Sequence, residues 1–301
     1  MLPRILIPLC CAAASIGLLA GQAGAATLDR GLGPEPDSLH IHQAQGLAAV
    51  NLLRDIREGL VTFDVRGEPV AGQAASWEIL DGGRIYRFSL RSEARWSNGD
   101  AVTAQDFVRA WQRAVTPGTA ATTAGLLKDV RHAEAILAGR LAPAELGVRA
   151  IDPLTLEVEL SQAAPWFPEI LAHPVAFPLH QDGIDDPRNA PVNGPFLLHQ
   201  WMPRASIRLL RNPHHYAAES VQADGIDYHP IEEPATELAL YRAGELHITE
   251  TIPAGRLRWL QENLPDDLRV HPYLGSFWLG LNINHPVLGR SPELRQALAL
   301  A

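Results

Sequence analysis

Histidines and paired acids are the residues of this chain whose spacing invites a chemical reading. His40-Ile41-His42 sets two imidazoles two positions apart, and in a strand both would point to one side, as two ligands of one metal must. His214 and His215 are adjacent, so their side chains diverge, and no third ligand stands at a defined spacing from either pair. None of the 12 histidines falls in an H-E-x-x-H pattern, and the chain has neither G-x-S-x-G nor a P-loop. Asp185-Asp186 and Glu232-Glu233 each precede a proline, which reads as solvated loop and not as a general acid and base. The chain therefore reads as a non-enzyme, without a cofactor.

The 2 cysteines, Cys10 and Cys11, lie in an apolar stretch, Ile5 to Leu19, that follows Arg4. Ala23-Gly24-Ala25 has the form of a signal-peptidase site, so residues 1–25 read as a signal peptide cleaved before Ala26. The stretch is shorter than the roughly 20 residues of a membrane span. Ile7-Pro8-Leu9 lacks the small residue that a lipoprotein site places before its cysteine. Both cysteines leave with the leader, and the mature chain enters the periplasm without a disulfide or thiol nucleophile. A net charge of -9, from 25 basic and 34 acidic residues, argues against nucleic acid as a partner. The 301 residues suit one large domain or two ordinary ones.

Periodicity supplies the elements around these residues. Ala44 to Glu58 reads as a helix with Leu47, Val50, Leu53 or Leu52, and Ile56 on its apolar side and Gly59 as the stop. Arg84 to Arg91 alternates, with Tyr86, Phe88 and Leu90 inward, as in a half-buried strand. Asn98-Gly99 marks a turn, and Thr103 caps a helix whose first turn holds Asp106 and whose apolar face is Phe107, Val108, Trp111 and Val115. Leu154, Leu156, Val158 and Leu160 alternate inward, with Thr155, Glu157 and Glu159 outward. Phe196 to Trp201 and Ser206 to Leu210 pair around Met202-Pro203. Thr236 caps a short helix closed by Gly244. Phe277 to Ile283 reads as a strand, and Ser291-Pro292-Glu293 starts a final helix that stops without a cap.

The ordered blocks Ala74-Ala75-Ser76-Trp77, Tyr86 to Arg91, Ala94 to Asp100 and Val102 to Phe107 resemble the signature of family 5 solute-binding proteins, closest to the oligopeptide-binding branch. Glu35 to Leu39, Arg54 to Leu60, Trp111 to Val115, Val192 to Phe196, Tyr241 to Leu246 and His271 to Leu274 extend the match along the mature chain. The resemblance implies an α/β, periplasmic binding protein type II-like fold of mixed sheets with flanking helices. Lobe I would be discontinuous, 26–47 and 173–274, with a smaller lobe II inserted at 48–172. Residues 275–301 would begin a third domain that is largely missing.

Such receptors close two lobes over an extended oligopeptide, as monomers, and deliver it to an inner-membrane ABC permease and its ATPase. The resemblance places Glu35 and Ser38 on the cleft side of the first lobe, Asn193 and Gly194 at the turn between lobes, and Thr249, Glu250 and Thr251 against the peptide backbone. It places the acidic partner of the peptide ammonium beyond Ala301. Two alternatives stay open: a truncated, binding-impaired member, and a receptor of the same fold for a metal chelate or haem.

Overall fold

The computed structural model describes residues 27–183, 188–270 and 280–300. The leader read at 1–25, the acids Asp185-Asp186 and the motif His271 to Leu274 lie outside the described residues. Two compact units divide the chain after Ala254.

The first unit contains β1 (Thr27–Gly33), α1 (Leu47–Ile56), β2 (Val61–Phe63), β3 (Pro69–Ala71), β4 (Ala74–Leu80), β5 (Ile85–Leu90), α2 (Ala104–Val115) and α3 (Ala133–Leu137). It continues with β6 (Val148–Asp152), β7 (Thr155–Glu159), α4 (Phe167–Ile170), β8 (Phe196–Met202), β9 (Ser206–Arg211), β10 (Gly225–Pro230) and α5 (Pro234–Ala243). One sheet has the order β1-β10-β9-β8, with β1 parallel to β10 and the other pairs antiparallel. A second, wholly antiparallel sheet has the order β4-β5-β7-β6, and β2 and β3 form a short ribbon. Tyr86 and Phe196 thus stand in different sheets.

The alternation in β5 has the expected effect: Tyr86, Phe88 and Leu90 are buried. Tyr86 packs against Phe167, which in turn meets Trp111 of α2 edge-on at 6.4 Å. The start of α2 is held by the capping box of Thr103 and Asp106. Asp106 Oδ2 accepts from the Thr103 N–H at 2.9 Å and from Trp96 Nε1 at 3.2 Å, so one carboxylate fixes both the helix start and the buried indole before it.

Four expectations within the first unit need correction. The helix read from Ala44 begins at Leu47, because Gly46 is extended; its buried face is Ala48, Ala49, Leu52, Leu53 and Ile56, while Leu47 is 56% exposed. Leu154 sits in the β6–β7 turn, not in the strand, and is exposed. Glu157 is not a solvated outward residue. Its side chain is only 8% exposed, because Arg87 from β5 and Arg149 from β6 close over it at 2.7 and 2.5 Å. With Glu78 opposite Arg87, this forms a row of alternating charge across all four strands. The α5 cap is Glu233, whose carboxylate accepts from the Ala235 N–H, and Pro234 occupies the first turn, so Thr236 lies inside the helix.

The second unit contains α6 (Leu257–Asn263) and α7 (Pro292–Leu300). Ser291 Oγ accepts from the Leu294 N–H at 3.1 Å, as its sequence position suggests. Residues 277–279 of the expected strand lie outside the described residues. Gly280 to Ile283 is irregular chain entering a turn, with no sheet neighbour among the described residues to pair it.

Replacing Glu157 by Gln removes the charge between two arginines and is expected to cost about 1–2 kcal/mol in urea denaturation, discounted because both arginines reach solvent. The arginines hold the Glu157 carboxyl below its ordinary range, Arg87 first, so its stabilisation is present above about pH 4.3 and is lost as pH falls further. The wild type and Glu157→Gln should therefore converge in strong acid and differ by a constant amount above about pH 5.

Candidate functional site

Segment 248–250 runs beside the free edge of β1. Ile248 forms a parallel bridge with Arg30, and the Gly31 N–H donates to its carbonyl at 2.9 Å. Beyond it, Thr249 is half-buried and Thr251 exposed. The segment is anchored from below by α5: Glu237, fully buried, accepts from the Gly33 N–H at 3.2 Å through Oε1 and from the Glu250 N–H at 3.0 Å through Oε2. A Cβ on Gly31 would stand 2.2 Å from Glu237 Oε1, so glycine is what lets the carboxylate lie against β1.

The Glu250 side chain turns inward to a polar cluster. Oε2 meets Arg30 Nη2 at 3.4 Å and Oε1 accepts from Asn51 Nδ2 at 2.8 Å. Arg30 Nη1 also donates to the Tyr228 hydroxyl at 3.3 Å, and that hydroxyl donates to Asp55. Arg30 and Tyr228 stand in register across the parallel β1–β10 pair. Asn51 and Asp55 lie four residues apart on α1 and so share one helix face. Two carboxylates, Asp55 and Glu250, thus act on one guanidinium, and a third, Glu237, lies beside Glu250.

Burial dominates the electrostatics here. It raises the Asp55 carboxyl, partly offset by the Tyr228 hydrogen bond and Arg30. It raises Glu250, again against Arg30. Burial and Asp55 push the Tyr228 hydroxyl far up, so it remains a donor. Burial works against the charged Arg30, but Tyr228, Asp55 and Glu250 outweigh it and raise its pKa. Such a cluster can orient a loop and accept N–H donors; it presents no nucleophile paired with a base.

Asn193 and Gly194 occupy a different place. Asn193 is fully buried, accepts from the Glu58 N–H at 3.3 Å and donates to the Glu58 carbonyl at 2.8 Å. The Gly194 N–H donates to the Ile56 carbonyl at 3.0 Å, and its own carbonyl accepts from Asn212 at 2.8 Å. Glu58 in turn accepts from Gln73 at 2.6 Å and from the Tyr216 hydroxyl at 3.1 Å, with Arg91 stacked 4.4 Å above the Tyr216 ring.

Glu35 holds the β8–β9 turn, accepting from Trp201 Nε1 at 2.6 Å and from the Arg204 N–H at 2.9 Å. Ser38 Oγ accepts from the His40 N–H at 3.0 Å. Of the residues singled out in the sequence, Thr249, Glu250 and Thr251 are brought together, Asn193 and Gly194 form a second group, and Glu35 and Ser38 stand apart from both. Arg30, Asn51, Asp55, Tyr228 and Glu237 were not singled out; the four-residue spacing of Asn51 and Asp55 is the one local signal that pointed to them. His40 and His42 lie in a turn and not in a strand, and no group of three metal-ligating side chains exists among the described residues.

Comparison with known proteins agrees with this scaffold. The profile of bacterial extracellular solute-binding proteins, family 5 Middle, matches residues 68–301. The probable deoxycholate-binding periplasmic protein YgiS of Escherichia coli is 38% identical over 88% of this chain and 51% of its own length. The periplasmic oligopeptide-binding protein OppA of Escherichia coli is 36% identical over 91% of this chain and 52% of its own. Among solved structures, Haemophilus influenzae OppA in complex with the peptide RPPGFSPFR matches with a TM-score of 0.77 at 34% identity, covering 80% of this chain and 49% of that one. The chain spans about half the length of the curated relatives it matches.

Gly31→Ala is expected to destabilise the protein by about 1–3 kcal/mol in urea denaturation, because the new methyl displaces a buried carboxylate. Hydrogen exchange at the Glu250 amide should accelerate in the same variant, since that N–H loses its acceptor on Glu237.

Proposed function

The chain belongs to the bacterial extracellular solute-binding proteins of family 5, and on that premise we propose that it captures oligopeptides for an ABC importer. The observation that carries this reading is its 36% identity to an oligopeptide-binding protein over 91% of the chain, on a fold shared with a peptide-bound relative. In this reading the two sheets belong to two lobes, 26–47 with 173–274 and 48–172, that enclose an extended peptide. The backbone of Thr249, Glu250 and Thr251 offers N–H and carbonyl groups to the peptide main chain, as in strand addition. Glu237 and Arg30 hold that loop in place. Glu35, Ser38, Asn193 and Gly194 shape the ligand cleft through the turns they fix. The chain acts as a monomer in the periplasm after cleavage before Ala26, and its partners are the inner-membrane permease and ATPase.

A second reading comes from YgiS, whose name assigns it deoxycholate, an amphipathic carboxylate. Calorimetric titration of the full chain with peptides of two to five residues, and separately with deoxycholate, distinguishes them. Peptide binding at least about tenfold tighter than deoxycholate, a difference of roughly 1.4 kcal/mol, is expected. The reverse order would replace the peptide reading with the second, and saturation by neither would overturn both.

A further inference from the structure

Arg57, the residue that ends α1, is sealed inside the protein. It is 2% exposed, and its Nε and Nη1 have no hydrogen-bond partner. His42 is fully buried as well, and neither of its ring nitrogens has a partner. The surroundings are basic: the His40 ring lies 5.3 Å from that of His42, and Arg113 and Arg57 are close enough to act on it. Burial, reinforced by these neighbours, pushes His42 down to about 3, so at neutral pH it is uncharged and carries one ring N–H. Burial lowers Arg57 to about 10, which leaves its guanidinium charged at neutral pH. No carboxylate among the described residues pairs with it.

A buried cation without a counter-charge is unstable unless something supplies one. The negative end of the α1 dipole helps, but it leaves the free N–H groups without acceptors. There is also room beside the guanidinium. Arg57 lines a cavity of about 140 Å³ with Gly59, Thr62, Phe63 and Phe177, several times the roughly 30 Å³ a water molecule occupies in the liquid. Glu58 borders the same cavity, but both of its carboxylate oxygens already accept hydrogen bonds, from Gln73 and Tyr216.

We propose that Arg57, beside this cavity, forms an internal site for a small oxyanion of the carboxylate or phosphate class. Nε and Nη1 face different edges of the guanidinium, so the anion takes a single charge-assisted hydrogen bond from one of them and supplies the missing counter-charge. The site does not involve the loop 249–251, and only its ligand-carboxylate form rests on the peptide reading. The anion is either free in solution or the terminal carboxylate of a larger ligand.

The test uses the full chain, with thermal melting followed as inorganic phosphate or acetate is added at ionic strength held constant by sodium chloride. One of the two should raise the melting temperature saturably in the wild type, and Arg57→Met should abolish the response. Arg57→Gln, which keeps an N–H donor but removes the charge, serves if Arg57→Met does not fold, and it should weaken the apparent affinity at least about threefold. Comparing a peptide that has a free C-terminal carboxylate with its amide identifies the source. A tenfold preference for the free acid that Arg57→Met removes assigns a ligand carboxylate, whereas an unchanged preference assigns a free anion. No saturable effect of either anion on the wild type would overturn the site, as would an equal effect in Arg57→Met.

Discussion

The last turn of α1 and the chain at Gly194 touch backbone to backbone, and the arrangement of both sheets depends on that contact. A Cβ at Gly194 would stand 2.4 Å from the Arg57 nitrogen, so no other residue fits without moving the helix. Asn193 adds a two-way hydrogen bond to the Glu58 backbone. Through Glu58 the joint reaches Gln73, just before β4 in one sheet, and through Asn212 it reaches the end of β9 in the other. Backbone groups that would be stranded at a helix end are thereby satisfied by a segment more than a hundred residues away.

The same helix carries polar side chains into the interior. Asn51 and Asp55 leave the face of α1 that meets β1 and β10, where Arg30 and Tyr228 complete their bonding. Buried carboxylates would be costly if left bare, and the structure answers with donors. Backbone N–H groups serve Glu237, Asn51 and Arg30 serve Glu250, and the Tyr228 hydroxyl serves Asp55. What results is an anchor for a largely exposed loop, the geometry on which the proposed main-chain recognition of a peptide rests. The opposite balance at Arg57 and His42, donors without acceptors, sets that region apart from the rest of the interior.

Local pattern determined a large part of this protein. The period-two alternation of β5, the pairing of β8 with β9 and the helix start at Thr103 depend on neighbours a few residues away, and all appear in the structure where the sequence put them. The blocks around Trp77, Trp96 and Asp106 identified the family for the same reason, since they encode a strand, a turn and a helix start in succession. Tertiary structure alone decided which polar residues are buried. Glu157 has the spacing of a solvated position, and only the approach of Arg87 and Arg149 from two other strands covers it. Arg30 meets Tyr228 from 198 positions away, and Glu250 meets Arg30 from 220, so no window of sequence contains either pair. Periodicity reports which face of an element is apolar, whereas the burial of a charge depends on a counter-charge or donor that another element brings to it, and that is settled only when the elements pack.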